Sequence, residues 1–271
     1  MKIEVLVSTM QQSDLAKYKS MNIQTDVLFI NQCDYNDSVD VMEGLNRVRM
    51  ISVKERGLSL SRNLAISNAS ADICLLADDD IVYNDGYNEI VINAFKSIPK
   101  ADIIIFNITR ENYAGVVTKK KIKKTRRAPK YKSYSSVRIA FRLKSLIDNK
   151  ILFNEKLGAG AIFGAGEESL MLRDCIRKKL KIYEYPANIA KVDYSTSCWF
   201  DGYNEKFFYN KGAYLYSAYG SLMSHFFKYY YVLRLYKNTD LGVSDLLKNL
   251  NAGINGYANL MPYDEYIRGN M

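Results

Sequence analysis

Asp78, Asp79 and Asp80 directly follow the apolar run Ile73-Cys74-Leu75-Leu76-Ala77. Three adjacent carboxylates at a strand end repel one another unless a cation or hydrogen-bond donors compensate. Their hard oxygens suit Mg²⁺ or Mn²⁺, ions able to bridge carboxylate and diphosphate and to neutralise charge on a departing nucleoside diphosphate. The same triplet also reads as a solvated acidic turn or as the N-cap of the helix that follows. A second candidate is Glu167-Glu168, which opens a helix after the small-residue stretch Gly158-Ala159-Gly160-Ala161-Ile162-Phe163-Gly164-Ala165-Gly166. One of these carboxylates has the chemistry to deprotonate an acceptor hydroxyl, although glutamates in a first turn complement the helix dipole in any protein. A third is Arg56-Gly57-Leu58-Ser59-Leu60-Ser61-Arg62-Asn63. Backbone N–H groups and guanidinium groups at such a helix start can hold phosphates. The plainer reading is a Ser-capped helix with exposed arginines.

Positioning these groups requires strands that end where they begin. Apolar runs at 3–7, 26–30, 48–53, 73–77 and 102–107 read as strands, with helical patterns at 12–19, 59–70 and 86–98 between them. In 59–70, Leu60/Leu64 and Ala65/Ala69 form one apolar stripe at i,i+4. Such alternation predicts an α/β fold with a Rossmann-like, mostly parallel sheet flanked by helices, and a ligand beyond the carboxyl ends of its strands. Residues 116–136 are basic, contain tyrosines and Pro129, and read as a mobile surface loop. Apolar segments return at 137–143 and 151–153. A helix then follows Gly166, with Met171/Cys175 and Leu172/Ile176/Leu180 at i,i+4, and a strand at 181–185 is ended by Pro186. From Gly212 onward the chain is helical and tyrosine-rich, so the expected division is a catalytic domain over 1–210 and a helical, aromatic-rich C-terminal extension over 211–271.

Composition narrows the class. With 48% hydrophobic and 25% charged residues among 271, the chain is a folded globular protein. The formal net charge of +9 has one source: Lys119, Lys120, Lys121, Lys123, Lys124, Arg126, Arg127, Lys130 and Lys132, with no acid among them. The remaining 29 basic residues match 29 acidic ones, so the charge is a local device. It reads as a solvated loop or as a contact for an anionic membrane surface or a diphosphate-linked lipid acceptor. Tyr113, Tyr131 and Tyr134 flank it as an acceptor-covering lid would require. No RNA-binding motif accompanies it, and no nucleic-acid partner is expected. Cys33, Cys74, Cys175 and Cys198 form no CxxC pair, which suits a reducing cytosol, and His225 as sole histidine argues against zinc. No signal peptide and no run of about 18 apolar residues is expected.

Taken in order, Ser8-Thr9 on the first strand, Arg56-Gly57 through Ser61-Arg62-Asn63, the strand with its Asp triplet, and the glycine-rich stretch with Glu167-Glu168 resemble glycosyltransferase family 2. The resemblance spans about residues 1–210. It implies a GT-A fold and an inverting transferase using a nucleotide-sugar, a UDP-sugar by preference, with Mn²⁺ or Mg²⁺. It implies Ser8 and Thr9 in the nucleotide pocket, Asn31 and Asp34 near the nucleoside base, and Arg56 and Arg62 toward the donor. Asp80 is the implied principal metal ligand, Asp79 its neighbour on metal or ribose, and Asp78 a further donor contact. Glu168 is the implied general base and Glu167 its partner, a Glu-Glu pair in place of the commoner Glu-Asp. The late segment Trp199-Phe200-Asp201-Gly202-Tyr203-Asn204-Glu205-Lys206 implies that Lys206 or Lys211 touches diphosphate oxygens, the plainer reading being aromatic packing with solvated lysines. The implied acceptor is a saccharide or lipid-linked saccharide in bacterial capsule or exopolysaccharide assembly, at the cytoplasmic face of the membrane, with a homodimer as one use for the C-terminal aromatics. A nucleotidyltransferase acting on sugar phosphates and a non-catalytic module binding anionic polymer or lipid are the alternative classes.

Overall fold

The computed structural model describes residues 1–112, 115–116, 121–130, 132–193 and 202–269. In chain order the first region runs β1 (Ile3–Met10), α1 (Lys17–Ser20), β2 (Asp26–Gln32), β3 (Asp37–Glu43), β4 (Asn46–Val53), α2 (Leu58–Asn68), β5 (Ile73–Asp78), β6 (Ile81–Tyr83) and α3 (Tyr87–Ser97). It continues through β7 (Ile103–Asn112), β8 (Gly115–Val116), β9 (Arg126–Arg127), β10 (Ile139–Arg142), α4 (Leu143–Asp148), α5 (Glu167–Arg177) and β11 (Ile182–Asp193). The strands form one sheet in the order β3-β4-β2-β1-β5-β10-β7-β11-β6, with β8 on β7 and β9 on β11. The pairs β4–β2, β2–β1, β1–β5 and β7–β11 are parallel, and the others are antiparallel. The α/β architecture with helices flanking a central sheet is as expected, but the sheet is mixed rather than mostly parallel: only β4-β2-β1-β5 and β7–β11 run parallel, while β3, β6, β8, β9 and β10 join antiparallel.

The chain divides into two compact units: residues 1–56, 60–153 and 171–197 form one, and 57–59, 154–170 and 198–271 the other. In the first, strand alternation sorts side chains to two buried faces. Val5, Val7, Phe29, Leu75, Ile104 and Phe106 share one apolar cluster, which includes Tyr87, Val91 and Phe95 of α3. Leu6, Leu28, Ile30, Leu76, Ile103 and Ile105 share the other, with Ala65 and Ile66 of α2 and Met171, Leu172 and Cys175 of α5. A sheet covered on both faces favours apolar residues at nearly every strand position, which is why β1, β2, β5 and β7 read as near-continuous apolar runs. Buried Glu4 in β1 is the exception and is paired with Arg49 at 2.6 Å.

Four local features differ from the sequence reading. The helix expected at 12–19 shrinks to the single turn α1, because the Asp14 carboxylate accepts the Ala16 N–H at 2.8 Å and the Gln12 N–H goes to Asn31 Oδ1 at 2.9 Å. Strand β3 lacks a buried stripe, being an exposed edge paired only to β4. Strand β11 does not stop at Pro186 but passes it at an irregularity in its register with β7, between Glu184 and Asn188. A missing N–H costs least at such a bulge. Finally, the basic stretch is docked where it is described. Strand β9 pairs with β11, Ile122 is buried, and the Asn107 side chain both donates to the Ile122 carbonyl at 3.0 Å and accepts its N–H at 2.8 Å.

The second unit is helical, built on α6 (Glu205–Leu235), α7 (Val243–Asn259) and α8 (Tyr263–Arg268). Phe208, Tyr209, Leu215, Leu246 and Leu250 form its core with Leu157 and Phe163. Helices α6 and α7 meet backbone to backbone: a methyl added at Gly212 would overlap the Leu250 carbonyl oxygen, and one at Gly253 the Tyr209 carbonyl oxygen. Helix α6 is broken at Gly220, where φ is +76°. Among the described residues no helix is long and apolar enough to cross a membrane.

Candidate active site

Parallel pairing of β1 with β5 sets Ser8 opposite Asp78, so both strands deliver their polar ends to the same place. One residue further on, Thr9 Oγ1 donates to Asp79 Oδ2 at 2.5 Å. Lys17 Nζ donates to the Asp79 carbonyl at 3.0 Å and stands 3.8 Å from its Oδ2. Arg62, nearly fully buried on α2, donates from its NH2 to Asp78 Oδ1 at 3.1 Å and to Ser136 Oγ at 2.7 Å, with its guanidinium carbon 5.4 Å from the centre of the Phe153 ring. Ser61, one residue earlier, donates to Ser8 Oγ at 2.9 Å. The structure therefore brings Ser8, Thr9, Arg62, Asp78 and Asp79 together. It adds Lys17 and Ser136, which the sequence did not mark because an isolated lysine and serine in connecting segments carry no spacing signal.

Asp80 is exposed and differs electrostatically from its neighbours. Partial desolvation and then the charges of Asp78 and Asp79 push its carboxyl up to about 6, with its own backbone and Lys17 opposing. A carboxylate crowded by like charges gains most from an added cation. Among the described residues no three side chains of metal-ligating type converge into a closed cage. The oxygen-only set of Asp79 and Asp80 suits instead a hard divalent ion whose remaining ligands come from elsewhere, as diphosphate oxygens would. Asn31 is wholly buried: it donates to the Gln12 carbonyl at 2.9 Å and to Ser52 Oγ at 3.1 Å, and thereby ties down the segment after β1. Asp34 is exposed and accepts from Arg56 NH2 at 2.5 Å.

The second unit carries Glu167, Glu168 and Lys206. Glu167 is buried and Glu168 partly exposed at the start of α5. The loop before them is shaped by glycines with positive φ. At Gly158 (+109°) an added methyl would sit 3.2 Å from both the Glu167 carboxyl carbon and Ser59 Oγ, and at Gly166 (+112°) it would sit 2.7 Å from the Tyr214 ring. Ser59 Oγ donates to the Leu157 carbonyl at 2.6 Å and holds that loop. Lys206 is exposed, 3.6 Å from Asp264. Lys211 lies among the rings of Phe207, Tyr214 and Tyr231 at 4.8–5.7 Å, where burial and then Arg234 lower its ammonium to about 8. Trp199, Phe200 and Asp201 of the late segment lie outside the described residues.

The basic segment is engaged in the first unit. Glu184 on β11 is fully buried and accepts from Arg126 Nε at 2.5 Å, from the Tyr134 hydroxyl at 2.8 Å and from Lys132 Nζ. Burial alone would raise this carboxyl, but the bonds from Lys132, Arg126 and Tyr134 outweigh it and hold it down to about 2. Arg127 lies over Tyr183 at 5.2 Å. Tyr134, expected in a lid, is thus a core residue, while Lys119, Lys120, Tyr113 and Tyr131 lie outside the described residues.

Residues 14–165, more than half of the chain, match the model of glycosyl transferase family 2. The chain belongs to that family. It is therefore a glycosyltransferase, as the order of its motifs led one to expect. No curated protein sequence matches this transferase. Among solved structures, residues 1–349 of S. aureus TarS in complex with UDP superpose with a TM-score of 0.58 at 13% identity, covering 97% of this chain and 83% of that one. The same TarS fragment with UDP-GlcNAc gives 0.58 at 16% identity, over 98% and 78%. A longer TarS chain gives 0.56, and only 46% of it is covered. At these identities the likeness is one of fold.

Proposed function

We propose that this family 2 transferase moves a sugar from a UDP-sugar to a hydroxyl of a saccharide or lipid-linked saccharide, with inversion at the anomeric carbon, in capsule or exopolysaccharide assembly. The observation that carries this reading is the acidic triplet at the carboxyl end of β5, beside that of β1, with Asp78 held by Arg62 and Asp79 by Thr9 and Lys17. The ligands named for the TarS structures, UDP and UDP-GlcNAc, support the choice of donor.

In this reading Asp80 and Asp79 hold Mg²⁺ or Mn²⁺, which when bound neutralises charge on the leaving diphosphate. Ser8 and Thr9 line the nucleotide pocket, with Asp34 toward the base, Asn31 holding the segment after β1 beside it, Arg56 toward the donor and Arg62 fixing Asp78. Exposed Lys206 contributes to diphosphate binding. Glu168, the more exposed of its pair, accepts the proton of the acceptor hydroxyl as that oxygen attacks the anomeric carbon. Buried Glu167, packed against Gly158 and Ser59, positions the start of α5. Fixed orientation supplies much of the rate.

The test is release of UDP from a panel of UDP-sugars with saccharide acceptors, for the native chain and Glu168→Gln. The proposal expects the variant to lose on the order of a hundredfold or more in turnover while still binding UDP. Undiminished turnover in the variant would remove Glu168 as base.

A further inference from the structure

The second half of α6 is apolar on both sides: Phe227, Tyr231, Val232 and Leu235 pack on the core of the second unit, and a further apolar stripe faces outward. Beyond the Gly220 break, the side turned inward carries Ser224, Lys228, Val232 and Leu235, all buried. The side turned outward carries Leu222, Phe226 and Leu233, which are 83%, 69% and 74% exposed, with Met223, Tyr229 and Tyr230 beside them. Leu222, Phe226, Tyr229 and Leu233 follow at intervals of four, three and four, so they form a single stripe along the helix. One exposed leucine needs no explanation, but a contiguous apolar stripe marks a contact surface.

Its charge says what it contacts. From Lys206 to Thr239 the chain has no acidic residue; Glu205 and Asp240 bracket the stretch. Lys228 is committed inward, to Asn251 at 2.6 Å. Arg234 and Lys237 remain at the end of the exposed stripe, both exposed. A helix with leucine, phenylalanine and tyrosine on one face, flanked by cations and no acids, fits the boundary of an anionic bilayer, with tyrosine hydroxyls in the headgroup layer and basic side chains reaching lipid phosphates. A second copy fits less well: a two-fold contact would set Arg234 and Lys237 beside their own mates if the helices ran parallel, or beside Leu222 and Met223 if antiparallel, and in neither case does the stretch hold an acid to pair them. We propose that residues 222–237 seat the enzyme on an anionic membrane surface. Of the nine cations of the basic segment, Arg126 and Lys132 are engaged by buried Glu184, Lys121, Lys123, Lys124, Arg127 and Lys130 are exposed, and Lys119 and Lys120 lie outside the described residues.

The experiment is co-sedimentation of the full chain with vesicles of phosphatidylcholine alone or with phosphatidylglycerol, for the native protein and for the combined Leu222→Glu, Phe226→Glu, Leu233→Glu variant. Native protein is expected to bind phosphatidylglycerol vesicles at least about tenfold better than phosphatidylcholine alone, and the variant to lose at least about tenfold while keeping its circular dichroism and melting curve. Phe226→Trp supplies a readout that does not depend on that variant folding. Its added emission should shift to the blue on phosphatidylglycerol vesicles and be quenched by brominated lipid. Three results overturn the proposal: native protein that ignores both vesicles, binding that the triple variant retains in full, or a native dimer that the variant converts to a monomer.

Discussion

In residues 121–136 lysine and arginine dominate the sequence, yet Arg126 and Lys132 close on a buried carboxylate and Ile122 and Tyr134 are in the core. In the second half of α6 the sequence is aromatic and aliphatic, yet Leu222, Phe226 and Leu233 stand in solvent while a lysine and a serine are buried. Composition alone assigns the first stretch to the surface and the second to the core. Lys121, Lys123, Lys124, Arg127 and Lys130 do stay exposed, and what departs from composition in each stretch is set by the local partner. A single glutamate at a strand position in the sheet draws cations inward, because a buried charge must be paired. Packing of the second half of α6 against α7, where Lys228 donates to Asn251 Oδ1 at 2.6 Å, buries one face of the helix, its lysine and serine included.

The two arrangements break differently. The largest effect is expected for Gly253→Ala, whose methyl would overlap the Tyr209 carbonyl oxygen and force α6 from α7. It should lower stability by about 3 kcal/mol, read from the urea midpoint. An unchanged midpoint would mean the helix pair has slack. Glu184→Gln comes next, at on the order of 2 kcal/mol, below the loss for a fully buried pair because Arg126 and Lys132 keep solvent contact.

The same carboxylate sets a pH window. Its pKa falls from 4.5 to about 2 on folding, so it contributes stability fully above pH 4.5 and loses it as pH falls toward 2. Urea midpoints taken across that range should fall more steeply for native protein than for Glu184→Gln; parallel curves would contradict the buried pair. Arg127→Gln removes only a cation over Tyr183 and should cost about 0.5 kcal/mol. Smallest of all, Phe226→Ser should leave the melting temperature nearly unchanged, since its ring is exposed. A large loss there would place that ring in a folding contact.

The central strands were legible because burial on both faces makes the middles of β1, β2, β5 and β7 almost wholly apolar, with polar residues such as Asn31 and Asp78 gathered at their ends. Strand β3 was not, because an exposed edge needs no apolar stripe. Pro186 misled because a proline at a bulge looks in sequence like a proline at a strand end. Near the acidic triplet, Ser8, Thr9 and Arg62 could be read from motif order, and the structure gathers them. Lys17 and Ser136 could not, since their roles arise from chain folding over 62 and 74 residues of separation. Asn31 was read as a base contact, and its amide is occupied in tying down the segment after β1.

The most direct test of the proposed donor site is calorimetric binding of UDP, with and without Mn²⁺, to the native chain and to Asp80→Asn. The account predicts binding that strengthens with Mn²⁺ in the native protein and loses that dependence in the variant. Binding in the variant with undiminished Mn²⁺ dependence, or no binding of UDP to the native chain under either condition, would contradict it.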